Sequence, residues 1–257
     1  MGSVVCVANQ KGGVGKTTTI INLGASFAAA ERKVLIIDMD PQANATSGLG
    51  ISKSLKNNIY VALVAMKPLV ELFISTELET LKIIPSNRDL IGAELEMIEF
   101  TNWQVHLREL IEPIKNYFDF ILIDCPPSLG VLTVNALVAA DYLLVPIQCE
   151  YFSLEGVSDL LDTIRRIKGN YNDKLAILGI LLTMYDDRTN LSRQVKENII
   201  NHFQNLVFKT IIPRNVKLGE CPSFGKPILL YDIKSKGAEA YLNLAKEILY
   251  NEKKGIR

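Results

Sequence analysis

The stretch Val4-Val5-Cys6-Val7-Ala8-Asn9-Gln10-Lys11-Gly12-Gly13-Val14-Gly15-Lys16-Thr17-Thr18-Thr19 decides the fold. Val4–Ala8 is a short apolar, β-branched run that predicts a buried strand, and from Ile20 the apolar positions recur with helical spacing. Between them lies a segment rich in glycine, whose backbone can bend so that successive N–H groups converge. Strand, glycine turn and helix in this order aim those N–H groups and the positive end of the helix at one point, which suits a phosphate. The plainer reading is a glycine turn that happens to end in Lys16-Thr17, and the strand–loop–helix context weighs against it.

Working outward, Val34–Ile37, Leu81–Ile84, Phe120–Ile123, Tyr142–Pro146 and Ala176–Thr183 also predict strands, and several are apolar on both faces. Amphipathic stretches between them supply crossovers, so the expected fold is doubly wound α/β, a mostly parallel sheet with helices on both faces. The 257 residues contain no Pro/Gly/Ser linker or repeat, which predicts one domain over residues 1–257. Between Thr46 and Lys67 the pattern weakens, predicting short surface helices and loops. Composition is 48% apolar with no stretch as long as a bilayer, and the N-terminus shows no basic or secretory leader, so a cytoplasmic globule is expected. Cys6, Cys125, Cys149 and Cys221 lack the short paired spacings of metal or redox motifs and read as buried thiols.

Two further segments end in acids. Val34-Leu35-Ile36-Ile37-Asp38-Met39-Asp40-Pro41-Gln42 puts Asp38 and Asp40 on one side of a strand's C-terminal end, where α/β folds collect ligands, although turn-forming aspartates before a proline would read the same. Tyr117–Ile123 leads a buried strand into Asp124-Cys125-Pro126-Pro127, the pattern of a Walker B segment; an N-capping aspartate is the rival reading of Asp124.

Lys11-Gly12-Gly13-Val14-Gly15-Lys16-Thr17 departs from the ordinary G-x-x-x-x-G-K-[ST] loop, since Gln10 holds the first glycine's place, and it resembles the deviant P-loop of the ParA, MinD and nitrogenase iron-protein group. The likeness runs the length of the chain and narrows to Soj-like chromosomal ParA proteins through Asp38–Gln42, Ala43–Gly50, Gln148–Gly156, Ile212-Pro213-Arg214-Asn215-Val216 and Gly225-Lys226-Pro227-Ile228. The resemblance implies an ATPase using Mg2+. Gly12, Gly13, Val14, Gly15, Thr18 and Lys16 would hold the phosphates; Thr17, Asp38 and Asp124 would serve the metal; Asp40 would orient or deprotonate the attacking water. It further implies that Lys11 reaches the nucleotide of a second subunit, that Pro213 and Asn215 lie by the adenine, and that Pro126–Gly130 senses the γ-phosphate.

Residues 188–257 carry thirteen Lys/Arg against six Asp/Glu, while residues 1–187 carry fifteen against twenty-two. Ordinary solvated surface would explain this. The resemblance offers another account: Arg188, Arg193, Lys217, Lys226, Lys234, Lys236 and Lys246 would line a surface that holds DNA non-specifically once an ATP-bound homodimer doubles it. It also implies a ParB-type partner, a nucleoid-associated location and no membrane attachment. Departures from the pattern are Lys217 in place of an arginine, Glu31 in place of a helix-ending glycine, and Gly219-Glu220-Cys221. The rival within the fold is a MinD-like membrane-cycling ATPase; the helix expected over Gly237–Tyr250, with Tyr241, Leu242, Leu244, Ala245, Ile248 and Leu249 on one face, reads better as packing on its own sheet.

Overall fold

The computed structural model describes residues 2–150 and 155–253. Seven strands form one sheet: β1 (Ser3–Val7), β2 (Val34–Asp38), β3 (Ile74–Ser75), β4 (Leu81–Ile84), β5 (Phe120–Asp124), β6 (Tyr142–Gln148) and β7 (Ala176–Thr183), in the order β3-β4-β2-β5-β1-β6-β7. Every pairing is parallel except that of the two-residue edge strand β3 with β4, so the fold is the doubly wound α/β sheet that the alternating pattern predicts. Register pins the acids together: β2 and β5 pair Val34 with Phe120 and carry on to set Asp38 beside Asp124, while β1 sets Val7 beside Asp124.

Because β1, β2, β4 and β5 are covered on both sides, alternate residues of each strand feed two cores. Val4, Cys6, Leu35, Ile37, Ile121 and Ile123 face one layer, built by α3 (Ile59–Ala65), α4 (Leu90–Met97), α5 (His106–Ile111), α6 (Val131–Ala139), α7 (Glu155–Asn170) and α8 (Asn190–Phe203). Val5, Val7, Ile36 and Leu122 face the other, where α1 (Lys16–Ala29) and α11 (Lys236–Lys253) pack together with the short helices α2 (Asn44–Gly48), α9 (Val216–Glu220) and α10 (Ile228–Tyr231). In that second layer Phe27 stacks on Phe120 at 4.2 Å between centroids, and Tyr241 is buried with its hydroxyl 3.2 Å from Thr19 Oγ1. The α11 face predicted from periodicity is therefore consumed internally: Tyr241, Leu244, Ala245 and Ile248 are buried.

One expectation needs correction, and one rival reading falls. The region after β2 is not all surface, because Ile59, Ala62 and Leu63 of α3 are fully buried, while its approach, Ser52–Asn57, is exposed or half-exposed. Asp124 is no N-cap, since α6 begins at Val131 with Gly130 before it. The cysteines are all buried as expected, but Cys6 and Cys125, on neighbouring strands, bring their sulfurs within 3.3 Å. No helix among the described residues is long and apolar enough to cross a membrane.

Candidate functional site

The C-terminal ends of β1, β2, β5 and β7 open into a cleft of about 800 Å3. Its floor is the loop after β1. Gly13 and Gly15 have φ of +74° and +89°, a left-handed backbone that a Cβ would strain, and Gly15 takes the N-cap position of α1 with no capping side chain. The first turn of α1, Lys16-Thr17-Thr18, thus presents backbone donors to the cleft without a competing cap. Long-range bonds hold this loop. Thr183 at the end of β7 donates its hydroxyl to Val14 O at 2.8 Å, Asn9 Nδ2 donates to Pro146 O of β6 at 2.8 Å, and Asn9 Oδ1 accepts the Lys11 N–H at 3.0 Å.

Lys16 is buried, and its ammonium donates to Asn9 O at 3.0 Å and Lys11 O at 3.1 Å, curled inside the loop. Burial lowers its pKa, while the charges of Asp124, Cys125 and Asp40 act the other way. Beside it stand three carboxylates from two strand ends. Asp38 is fully buried and accepts from Thr46 N–H at 2.8 Å, Thr46 Oγ1 at 2.7 Å and Asp40 N–H at 3.1 Å; burial still pushes it up to about 6, against those bonds. Asp40 accepts the Gln42 N–H at 2.9 Å, so it does form a turn, yet its side chain also lines the cleft. Asp124 is the anomaly: fully buried, with neither carboxylate oxygen accepting a hydrogen bond. Burial first, then the charge of Asp38, raises it well above the ordinary carboxylate range; the Thr17 hydroxyl faces it, outside hydrogen-bond geometry, and lowers it in part. A buried anion with unmet lone pairs, beside a second carboxylate and a hydroxyl, fits a hard cation that supplies the missing charge. Among the described residues no three His, Cys, Asp or Glu side chains form an all-protein metal cage, as expected for an ion that takes its remaining ligands from water and phosphate.

Pro213 and Asn215 line the opposite wall with Ile212, Arg214, Leu218 and Glu220. Tyr185 and Pro213 form a parallel bridge, and Asn215 caps α9 by accepting the Lys217 N–H at 2.9 Å. Lys11 sits half-exposed at the rim, 3.7 Å from Glu150, which also lies 3.8 Å from Arg214. The neighbouring Gln148–Gly156 segment is only partly visible, residues 151–154 lying outside the described residues. Sequence reading gave no site role to Thr183, Asn22, Thr19 or Tyr241. Asn22 Oδ1 accepts the Ile228 N–H at 2.7 Å and so ties α1 to α10.

The seven basic residues do not form one continuous row. Arg188 makes a bidentate pair with Asp186 (2.8 and 2.7 Å), Lys217 pairs with Glu220 at 3.1 Å over the Tyr231 ring, and Lys226 lies 3.5 Å from Glu77. Arg193, Lys234 and Lys236 are exposed. Lys246 is at the far end of the sheet, in a groove with Lys196, Lys209, Tyr142 and Ala176 at the starts of β6 and β7.

An AAA-domain family model matches residues 2–177. The chain is similar to the chromosome partitioning protein ParA of Myxococcus xanthus, 54% identical over 250 residues that cover 97% of this chain and 88% of that protein. It is also similar to the sporulation initiation inhibitor protein Soj of Bacillus subtilis, 50% identical over 252 residues covering 98% and 100%. Among solved structures, one titled cobyrinic acid a,c-diamide synthase from Mycobacterium smegmatis, with bound ADP and magnesium, superposes with a TM-score of 0.88 at 36% identity, covering 99% of this chain and 97% of that one. The cell division ATPase MinD of Pyrococcus furiosus gives 0.80 at 27% identity over 97% and 99%.

Proposed function

The chain belongs to the ParA/Soj family of chromosome-partitioning ATPases, and from that premise we propose that it binds ATP with Mg2+, dimerises in that state, holds double-stranded DNA without reading its sequence, and lets go on hydrolysis. The observation that carries this is the buried, unpartnered Asp124 carboxylate set beside Asp38, Thr17 and Lys16 at the mouth of the glycine loop. In this reading the N–H groups of Gly12 to Thr18 and the Lys16 ammonium hold the phosphates, and Thr17, with Asp38 and Asp124 behind it, holds the metal. Held there, Mg2+ would neutralise charge on the phosphates. Asp40, which already lines the cleft, orients or deprotonates the attacking water, and Pro213 and Asn215 flank the adenine.

A role for Lys11 across an interface fits its position at the rim, where among the described residues its side chain is held by a 3.7 Å pair with Glu150 in which both side chains are more than a third exposed. A weak pair of that kind yields readily to a more highly charged partner such as a triphosphate. The basic residues Arg188, Arg193, Lys217, Lys226, Lys234, Lys236 and Lys246 are accessible in part, and a homodimer would double each weak phosphate contact. A ParB-type protein is the expected stimulating partner, and residues 1–257 act as one domain, nucleoid-associated in the cytoplasm. The internal packing of α11 on α1 favours this over a membrane-cycling role.

The test is a DNA mobility shift on the purified chain with Mg-ATP, Mg-ADP or no nucleotide, paired with light scattering under the same conditions. ATP-specific dimerisation and retardation of any duplex are expected. A monomer at saturating Mg-ATP with turnover blocked by Asp40→Ala refutes the reading.

A further inference from the structure

The sheet has a second hollow, at the end opposite the cleft. Val5, Phe120, Leu178, Phe208 and Ile248, from β1, β5, β7, the chain after α8 and α11, line a crevice of about 320 Å3. All five are buried, so the crevice is core surface that the fold leaves unfilled. Interiors otherwise pack to the density of organic crystals, and walls of this kind give water few partners. The polar side chains around it are Ser3, Tyr142 and Asn251, half-buried, and Glu252, exposed.

The crevice borders the broad groove at the starts of β6 and β7 and shares Tyr142, Phe208 and Asn251 with it. That groove is cationic, lined by Lys196, Lys209 and Lys246. The Lys196 ammonium lies 5.3 Å over the Tyr185 ring, and Lys209 and Lys246 are exposed. The groove's acid is Glu247, whose two oxygens are taken by the Lys209 N–H at 2.8 Å and the Thr210 N–H at 2.9 Å. An apolar slot therefore opens beside two solvent-facing ammonium groups.

We propose that this end of the sheet binds a soluble medium-chain carboxylate, with its aliphatic tail in the crevice and its anionic head on Lys209 and Lys246. Apolar walls with a few charged groups at the mouth are the ordinary form of a small-molecule site. The two halves select the ligand together. A neutral hydrocarbon leaves the lysines unused, and a cationic amphiphile is repelled by them. A nucleobase needs hydrogen-bond partners along its edge, which Val5, Leu178 and Ile248 lack. A bilayer lipid carries the same chemistry, an acyl chain with an anionic head, but its chain must leave the bilayer to reach walls that are buried. Nothing in the site draws on the glycine loop or the acids beside it, so it stands apart from the ATPase reading.

The probe is sodium decanoate below its micelle concentration, titrated calorimetrically into the full chain without nucleotide or DNA. Acetate, decyltrimethylammonium and phosphatidylglycerol vesicles are the comparisons. Decanoate should bind saturably and raise the thermal midpoint, because a ligand that prefers the folded state stabilises it, whereas an amphiphile acting as a denaturant lowers it. Acetate, which has no tail, and decyltrimethylammonium, which has the wrong charge, should bind at least tenfold more weakly. Lys209→Glu with Lys246→Glu, both at exposed positions, should weaken decanoate binding roughly tenfold or more. Leu178→Trp fills the crevice and should abolish binding; if that variant does not fold, the lysine variant decides alone. Undiminished binding to the lysine variant, equal binding of decyltrimethylammonium, or a midpoint that falls with decanoate overturns the proposal. Sedimentation with the vesicles without any binding of decanoate also overturns it and assigns this end to a membrane surface. A chain that binds decanoate but releases no phosphate from ATP would sink the ATPase reading alone.

Discussion

Replacing Asp124 by asparagine should stabilise the nucleotide-free protein while removing its response to Mg-ATP. The unfolded chain hydrates this carboxylate; the folded one buries it completely, leaves both oxygens without donors and sets it beside Asp38. Asp38 alone is raised from 3.8 to about 6, which corresponds to about 3 kcal/mol against its own ionised folded state at neutral pH. Asparagine at 124 removes that residue's own charge burial and its repulsion of Asp38, and leaves an amide whose unmet hydrogen bonds cost about 1–2 kcal/mol. A net gain of about 2 kcal/mol translates, in a chain of this size, to a midpoint rise of about 4–8 °C. For an acid whose folded pKa is raised, the stability linked to proton uptake is present below the unfolded value and lost as pH rises through the folded one. The advantage of Asp124→Asn should accordingly be greatest above the raised folded pKa of Asp124 and shrink as pH falls below it towards the ordinary carboxylate range. The assay is thermal unfolding by circular dichroism without nucleotide or metal at neutral and acid pH, then with Mg-ATP, whose stabilisation of the wild type should vanish in the variant. A variant that melts at or below the wild type at neutral pH shows that the carboxylate carries no burial penalty and refutes the reasoning.

Other outcomes follow from the same geometry. Lys16→Ala should abolish nucleotide binding, read by fluorescent-nucleotide titration, since it removes the one buried ammonium in the loop. Lys11→Ala should bind ATP with near-normal affinity yet stay monomeric by light scattering, because Lys11 lies at the rim and only its exposed pair with Glu150 is lost. Charge reversal at Arg188 and Lys217 should weaken DNA binding and flatten its dependence on salt in a mobility-shift titration. Glu31, at φ +59° just past α1, holds a left-handed backbone that glycine adopts without strain, so Glu31→Gly should raise the thermal midpoint by about 2–4 °C, equivalent to roughly 1 kcal/mol.

The parallel strands were legible because burial on both faces leaves continuous apolar runs, and Leu81–Ile84 and Ala176–Thr183 match the structure residue for residue. β6 runs two residues beyond its expected end, to Gln148. Pro146 reads as a stop, but here its carbonyl is taken by Asn9. β3 has two residues, too few for any alternation to register. The helix α3 was misread as surface because polar residues crowd its approach, whereas burial depends on what lies above the sheet at that point. Motif chemistry located the loop and the acids but not what fixes them. Thr183 and Val14 are 169 residues apart, Asn22 and Ile228 are 206, and Thr19 and Tyr241 are 222; no spacing rule reaches across such intervals.

Those distant bonds also bear on how the ends of the chain cooperate. The cleft's floor belongs to the first twenty residues and its far wall to Ile212–Glu220, and the wall is joined to the floor through β7, whose Thr183 grips the loop and whose next residues lead to the Tyr185–Pro213 bridge. On that wall the cap residue Asn215 faces the cleft while Lys217, whose N–H it accepts, faces solvent. A ligand that shifts Asn215 must disturb the first turn of α9, and with it the Lys217–Glu220 pair. The cleft wall and part of the basic surface are thus two sides of one five-residue helix, which joins the two proposed activities.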